Sequence, residues 1–325
     1  MLIATMSLKL DPEYAMAAAP IMAMMVQAPV PADHDVDTRR TNFKAGIGAL
    51  LAAMPAFPDV EIIEHKIISY DGAGIVVYQT RNTGADAGPG PAIVHAHGGG
   101  MIAGDAVTLN PAVKTFVSMS CVQFFDVEYR LAPEHPHPTL VEDTYAALTW
   151  LHEHAAELQV DKTRIGVMGE SVGGGIVAGV TLMARDRKLQ PPLAKSILIY
   201  PMLDSRNIKP VVEDLDQYLV WTVGSNLTGW KALLGDELGS DDVSPYASPS
   251  HVKSVEGLPS TYTDCGSLDL FRDEVTEYAR RLAAANVDVE YHLYPGVPHG
   301  FEILAPDVSV AKQALANRIK ALKSF

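Results

Sequence analysis

The sequence predicts an α/β fold: a mostly parallel eight-stranded sheet with helices on both faces and a helical cap. From about residue 59, short apolar runs alternate with stretches of helical periodicity, which is the pattern of βαβ units. A serine framed by glycines stands directly between a strand pattern and a helix pattern. The alternation lapses at residues 1–55 and 205–256, which we interpret as two parts of one covering layer.

The first half of the alternating region predicts strands and helices in turn. EIIEHKIISY and GIVVYQT flank Asp71-Gly72, so they predict two antiparallel strands joined by a tight turn. The next patterns alternate between buried strand and helix and are, in chain order, PAIVHAH, VKTFVSMS, VQFFDVEYR and HPTLVEDTYAALTWLHEHAAEL. RIGVMGES then predicts a strand that ends in a sharp turn.

The second half completes the domain organisation. VGGGIVAGVTLMARDRK predicts a helix and KSILIYP a strand, after which only TGWKALLG has helical periodicity before residue 257. The alternation then resumes with STYTDCG, FRDEVTEYARRLAAA, VDVEYHLYPG and VSVAKQALANRIKALK. We therefore expect the α/β core at residues 56–204 and 257–325, and the cap at residues 1–55 and 205–256.

Charge and cysteine content limit the function classes. The chain has 25 basic and 39 acidic residues, a net charge of −14, so it lacks the positive surface that nucleic acids and anionic membranes require. A small-molecule substrate fits this balance better. The two cysteines, Cys121 and Cys265, are too few for a disulfide framework and favour the cytoplasm.

The apolar segment at residues 15–30 is not expected to be a signal peptide or a membrane span. Asp11 and Glu13 precede it, where a signal peptide carries positive charge, and Pro20 interrupts it. It is also shorter than the roughly 20 apolar residues that a spanning helix needs. We expect a soluble, intracellular protein.

The motif GESVGGG, Gly169–Gly175, predicts the nucleophile. G-x-S-x-G between a strand and a helix is typical of a nucleophile elbow, whose tight turn requires Gly169 and Gly173. The turn, which includes Glu170, presents the Ser171 hydroxyl at the carboxyl edge of the sheet and at a helix N-terminus, where negative charge is stabilised. With this composition the pattern would arise by chance in about one sequence in ten. Its position between a strand pattern and a helix pattern is therefore the stronger reason to identify a nucleophile.

A serine nucleophile needs a base and a group that orients the base. In a sheet of this kind these partners follow the serine in the order acid, then histidine, on loops after later strands. Asp269 and His299 meet that order. His292 competes as the base but lies within a strand pattern, and Asp264 and Asp273 compete as the acid but lie in a strand and a helix pattern.

The motif HGGG at residues 97–100 predicts an oxyanion hole. It directly follows the strand PAIVHA, and glycine lets the backbone approach a substrate closely. We expect the N–H groups of Gly99 and Gly100, together with that of Val172, to donate to the oxyanion. His97 and Gly98 would support the loop.

A metal site is the alternative interpretation of the histidines. H-x-H occurs three times, and on a strand the first pair, His95 and His97, shares one face. His152 and His154 lie in a helix pattern, where i and i+2 diverge, and prolines separate the remaining pair. Because no H-E-x-x-H or similar motif is present, we expect no catalytic metal.

Together these motifs resemble the hormone-sensitive-lipase-like group of α/β-hydrolases, the bacterial family IV esterases. Seven of them follow the order of that family over about 200 residues: HGGGMIAGD, EYRLAPEHPHP, GESVGGG, YPMLD, SPYASP, SLDLFRDE and YPGVPHGF. The sequence departs from the usual pattern at four positions. Glu170 and Val172 replace Asp and Ala, Leu270 replaces Pro, and His137 stands where an aromatic residue is usual.

The resemblance implies an esterase for short- to medium-chain carboxylic esters, without a cofactor. Ser171 would attack the carbonyl, His299 would move the proton and Asp269 would hold the imidazolium. It also implies a possible homodimer through the strand VDVEYHLY. The methionines at positions 16, 22, 24 and 25 would line an adaptable pocket or serve as ordinary cap packing.

Two other functions stay open at this point. The same triad could act on a lactone, a carbamate or an amide bond, because the acyl-transfer groups are shared. The fold could also serve as a non-catalytic small-molecule-binding protein, although His299 is present in its motif.

Overall fold

The computed structural model describes residues 8–27, 29–84 and 88–325. In these ranges eight strands form one sheet. The strands are β1 Val60–Ile68, β2 Gly74–Asn82, β3 Gly90–Ala96, β4 Gln123–Glu128, β5 Val160–Glu170, β6 Lys195–Ile199, β7 Thr261–Gly266 and β8 Val289–Tyr294. The predicted cap also includes residues 1–7 and 28, which lie outside the described residues.

The strand order is β1-β2-β4-β3-β5-β6-β7-β8. Strand β2 pairs antiparallel with β1 and β4, and every other neighbouring pair of the sheet is parallel. Strands β6 and β7 are buried along their whole length, as expected for parallel strands covered on both faces. The prediction of a mostly parallel eight-stranded sheet is confirmed.

Helices cover the sheet in two groups. Helix α4 packs on β2 and β4 and touches α11, whereas α5 packs on β3 and touches α6. The helices are α1 Pro12–Gln27, α2 Val36–Phe43, α3 Ala49–Ala52, α4 Ala106–Ser120, α5 Thr139–His154, α6 Val172–Asp186, α7 Glu213–Asp216, α8 Val223–Leu234, α9 Arg272–Ala284, α10 Phe301–Leu304 and α11 Ser309–Leu322. None of the helices in the described ranges is long and apolar enough to cross a membrane.

Helix α4 begins earlier than the sequence pattern predicts. The pattern placed a helix at VKTFVSMS, but the structure begins it at Ala106, seven residues before Val113. The cause is Asp105, whose carboxylate accepts a hydrogen bond from the Thr108 amide at 2.7 Å and so caps the helix. The apolar stripe alone did not include this capped first turn.

The two segments outside the alternating pattern contact each other. The His34 amide donates to Thr228 Oγ1 at 3.0 Å, and Arg39 Nε donates to Ser225 Oγ at 3.3 Å. Arg40 joins the first segment to the core, since its Nε donates to the Ile102 carbonyl at 2.6 Å. These contacts agree with one covering layer, while the division into core and cap stays a prediction.

A buried arginine connects helix α11 to strand β7 and helix α10. Arg318 in α11 donates to Asp264 in β7 at 2.8 Å and to Glu302 in α10 at 2.6 Å. The side chains of Arg318 and Asp264 are at most 1% exposed, so the ion pair is shielded from water. Because β7 leads to Asp269 and α10 follows His299, one guanidinium holds the supports of both loops in place.

We expect Arg318→Met to lower the free energy of unfolding by about 3–5 kcal/mol, since it leaves Asp264 as an uncompensated buried charge. Urea denaturation of the variant and the wild type measures this difference. The matched control is Lys320→Met on the same helix, whose ion pair with Glu290 is largely exposed. The control should change stability by less than about 0.5 kcal/mol. Equal effects of the two variants would contradict the role given to Arg318.

Candidate active site

Ser171 lies at a strained corner between β5 and α6. Its φ of 58° and ψ of −122° are rarely adopted by residues other than glycine, which is the conformation expected of a nucleophile elbow. Backbone hydrogen bonds hold the corner on both sides. The Ser171 amide donates to the Ile199 carbonyl at 2.9 Å, and the Ser171 carbonyl accepts from the Met202 amide at 2.9 Å.

The two glycines of the elbow have no room for a side chain. A Cβ on Gly173 would lie 1.9 Å from the Ala96 carbonyl oxygen of β3. A Cβ on Gly169 would lie 2.3 Å from the backbone of Gly173. The clash foreseen from the motif therefore involves the neighbouring strand as well as the turn itself.

The structure brings Ser171, His299 and Asp269 into one hydrogen-bonded chain. His299 Nε2 lies 2.9 Å from Ser171 Oγ, and His299 Nδ1 lies 2.7 Å from Asp269 Oδ2. Asp269 is fully buried, and its second oxygen accepts from the Phe271 amide at 2.9 Å. A carboxylate on Nδ1 keeps the proton there, so the Nε2 lone pair faces the serine hydroxyl.

Two aromatic rings fix the position of the imidazole. Tyr200 packs edge-on against His299 with ring centroids 4.6 Å apart, and Phe271 does so at 5.2 Å. The Tyr200 hydroxyl donates to Glu302 at 2.6 Å, which ties this wall to the Arg318 network. The side chain of His299 remains 12% exposed, which leaves access from the substrate side.

The competing residues are engaged elsewhere. Asp264 in β7 forms a buried ion pair with Arg318, and Asp273 forms an exposed ion pair with Arg272 at 2.7 Å. His292 lies in β8, where its Nε2 is 3.0 Å from Glu290.

The glycine-rich loop lies beside the elbow. A Cβ on Gly98 would be 3.6 Å from Ser171 Cβ, and Gly99 and Gly100 have φ values of +134° and +63°. A Cβ on Gly99 would fall 1.9 Å from the Ala103 carbonyl oxygen, so this position requires glycine. Val172 is the first residue of α6, where amide N–H groups have no acceptor within the helix.

His97 anchors the loop through its own backbone. Its Nδ1 donates to the Gly98 carbonyl at 2.8 Å, and its ring stacks on Tyr129 with centroids 4.3 Å apart. The Tyr129 hydroxyl donates to the His97 carbonyl at 2.7 Å. Burial lowers the pKa of His97 to about 4, so its imidazole is neutral near pH 7.

His95 makes contacts that the sequence did not reveal. Its Nδ1 lies 2.8 Å from Asp126 Oδ1, and its Nε2 lies 2.9 Å from Glu170 Oε2. The three residues are on neighbouring strands, so only the register of β4, β3 and β5 shows that they meet. Within the described ranges, no three His, Cys, Asp or Glu side chains are grouped as ligands of a metal ion.

Trp221 covers the glycine loop, a contact that sequence reasoning also missed. A Cβ on Gly100 would lie 2.1 Å from the Trp221 indole. The indole is held by a hydrogen bond from its Nε1 to Asn226 Oδ1 at 3.1 Å. The segment at residues 205–256 therefore reaches the predicted oxyanion hole. No local signal links positions 121 residues apart in the chain.

Two of the four residues that depart from the family pattern line a small cavity beside the elbow. Val172 and His137 line it together with Met101, Met202 and Leu233. Burial lowers the pKa of His137, so this ring also favours the neutral form. Leu270 is buried in the main core.

Among the described side chains of the methionine-rich helix α1, most of the methionines lie at the surface. Met16 and Met24 are 77% and 64% exposed. Met22 packs against a separate cluster around Tyr14 and Phe301.

Comparisons with known proteins agree with this geometry. The family described as alpha/beta hydrolase fold matches residues 93–303. Carboxylesterase NlhH of Mycobacterium tuberculosis is 32% identical over 80% of this chain and 82% of its own. Ethyl acetate hydrolase of Pseudomonas putida is 28% identical over 89% of this chain and 90% of its own.

Solved structures show the same likeness over nearly the whole chain. A bacterial heroin esterase superposes with a TM-score of 0.86 at 35% identity, covering 97% of each chain. The resemblance inferred from the motifs is therefore confirmed. The chain belongs to the hormone-sensitive-lipase-like group of the α/β-hydrolase superfamily.

Proposed function

We propose that the protein is a serine carboxylesterase that hydrolyses short- to medium-chain carboxylic esters through an acyl-enzyme on Ser171. The observation that carries the proposal is the hydrogen-bonded chain from Asp269 through His299 to Ser171, beside a glycine loop. The names of the relatives, a carboxylesterase and an ethyl acetate hydrolase, support an ester of modest size as the substrate.

The first half of the reaction forms the acyl-enzyme. His299 Nε2 takes the proton of the Ser171 hydroxyl as Oγ attacks the ester carbonyl carbon. The carbonyl oxygen becomes an oxyanion that accepts hydrogen bonds from the N–H groups of Gly99, Gly100 and Val172, each worth about 3–4 kcal/mol of transition-state stabilisation. His299 then donates the proton to the alcohol as the ester C–O bond breaks.

The second half releases the acid. Water enters beside His299, which takes a proton from it as the water oxygen attacks the acyl carbon. A second oxyanion forms in the same place and collapses, which breaks the bond to Ser171 Oγ and returns the proton to it. The Asp269 carboxylate stabilises the imidazolium of His299 in both halves. These steps use no cofactor.

We further propose a two-part cap over the site, at residues 1–55 and 205–256. The hydrogen bonds between the two segments and the position of Trp221 on Gly100 support it. We also propose that the protein is cytoplasmic, since Cys121 and Cys265 are both unpaired thiols. A homodimer through β8 is supported by the position of this strand at the end of the sheet.

We expect Ser171→Ala to lower kcat for p-nitrophenyl butyrate by at least about a thousandfold, in line with removal of a triad nucleophile. Initial rates of the purified wild type and variant measure this loss. Ser240→Ala, a change of the same kind at an exposed loop residue, should keep the wild-type rate. A Ser171→Ala protein as active as the wild type would show that another group attacks the ester.

We expect Asp269→Asn to lower kcat by about 10³–10⁴-fold, because an amide at this position favours the wrong imidazole tautomer. The same substitution at Asp273, four residues later and exposed, is the matched control and should leave kcat within about twofold of wild type. Steady-state kinetics on the same ester separates the two. Comparable losses in both variants would mean that Asp269 is not the orienting acid.

A further inference from the structure

A group of three charged side chains lies beside the elbow, in which His95 and Asp126 are buried and the Glu170 side chain is 18% exposed. His95 is in β3, and its register partner in β4 is Asp126. On the other side, His95 is in register with Met168 of β5, two residues before Glu170 and therefore on the same face as Glu170. Glu170 directly precedes Ser171 in the chain, so the group touches the backbone that carries the serine.

Each ring nitrogen of His95 faces a carboxylate. The distances are 2.8 Å to Asp126 and 2.9 Å to Glu170, and the side chains of His95 and Asp126 are 3% and 2% exposed. His95 Nε2 donates a hydrogen bond to Glu170 Oε2, whereas Nδ1 contacts Asp126 Oδ1 as an ion pair outside hydrogen-bond geometry. Ionised carboxylates only accept hydrogen bonds and attract a cation, so an imidazole that carries a positive charge fits both contacts. Asp126 has further partners, since Thr80 Oγ1 donates to its Oδ2 at 3.0 Å and Asn110 Nδ2 at 3.4 Å.

Glu170 has fewer hydrogen-bond partners than Asp126 within the described residues. Within the described residues its side chain makes its hydrogen bond to His95, and its Oε1 is buried without a partner. Burial opposes a charge on His95, but the two carboxylates outweigh it and raise the pKa of His95 to about 10. The nearby Tyr129 and Tyr200 hydroxyls have pKa values raised well above the ordinary range by burial, so they stay neutral.

We propose that His95 is a positioning residue of the esterase site, which compensates the negative charge of Glu170 beside the oxyanion hole and holds the elbow strand against β3. This role rests on the proposed function, because it concerns the oxyanion formed at Ser171. The oxyanion would form near the amide of Val172, two residues from Glu170. In a weakly polar interior, an uncompensated carboxylate there would oppose the new negative charge.

Four variants separate charge compensation from simple packing: His95→Gln, Glu170→Gln, the double variant with both changes, and Asp126→Asn. His95→Gln leaves two carboxylates without their cation. The double variant removes the cation together with the carboxylate nearest the serine. Asp126→Asn is the matched control. It removes the other carboxylate that contacts the His95 imidazole, and Asp126 lies on β4, on the side of β3 away from Ser171.

We expect His95→Gln to lower kcat on p-nitrophenyl butyrate by roughly tenfold or more, while KM stays within about twofold of wild type. A loss of this magnitude is expected when an uncompensated carboxylate repels the oxyanion through the protein interior. The double variant and Asp126→Asn should both stay within about threefold of wild-type kcat. Recovery in the double variant is the result that a packing role cannot give, since that variant loses more native contacts than either single change.

The outcomes are distinguishable. If the wild type turns over the ester and the double variant is as impaired as His95→Gln, charge compensation by His95 is wrong while the proposed function stands. If the wild type turns over no ester, the proposed function fails and the role of His95 fails with it. Should His95→Gln not fold, the double variant is compared with Glu170→Gln. A loss of tenfold or more between these two would also overturn the proposal.

Discussion

The site depends on the backbone corner at Ser171. Its positive φ is unfavourable for a residue with a side chain, by about 1–3 kcal/mol, so the surroundings must hold it. Two hydrogen bonds do so, one from the Ser171 amide to Ile199 and one from the Met202 amide to the Ser171 carbonyl. Because Ile199 ends β6, the corner is fixed by the ladder between β5 and β6. A strand pairing thus sets the position of the hydroxyl.

Other elements meet at this corner because parallel strands end at one edge of the sheet. The glycine loop follows β3, Asp269 follows β7 and His299 follows β8, and the strand order places β3 and β6 on the two sides of β5. Arg318 links the supports of the last two loops through Asp264 and Glu302. The three side chains are therefore positioned by buried interactions between their loops and rigid elements, which would limit the reorganisation needed during the proposed reaction.

The sequence predicted the sheet, the elbow and the three residues that the structure aligns, because each lies in a motif read within a few neighbouring positions. Ser171 is identified by the glycines two positions before and after it. Asp269 and His299 are identified because each follows a short apolar run that predicts a strand. The contact of His95 with Asp126 and Glu170 was not predictable, since a change of one residue in register would separate them. The packing of Trp221 on Gly100 also depends on tertiary structure, because its segment has no strong periodicity of its own.

The proposed reaction depends most on Ser171 as the nucleophile, and covalent trapping tests this most directly. Diethyl p-nitrophenyl phosphate transfers its diethylphosphoryl group to an activated serine and releases p-nitrophenolate. Intact-protein mass spectrometry followed by peptide mapping should find one group per chain, on Ser171, and esterase activity should fall in proportion to labelling. A label on a different residue, or full activity after complete labelling of Ser171, would contradict the proposal that Ser171 is the nucleophile.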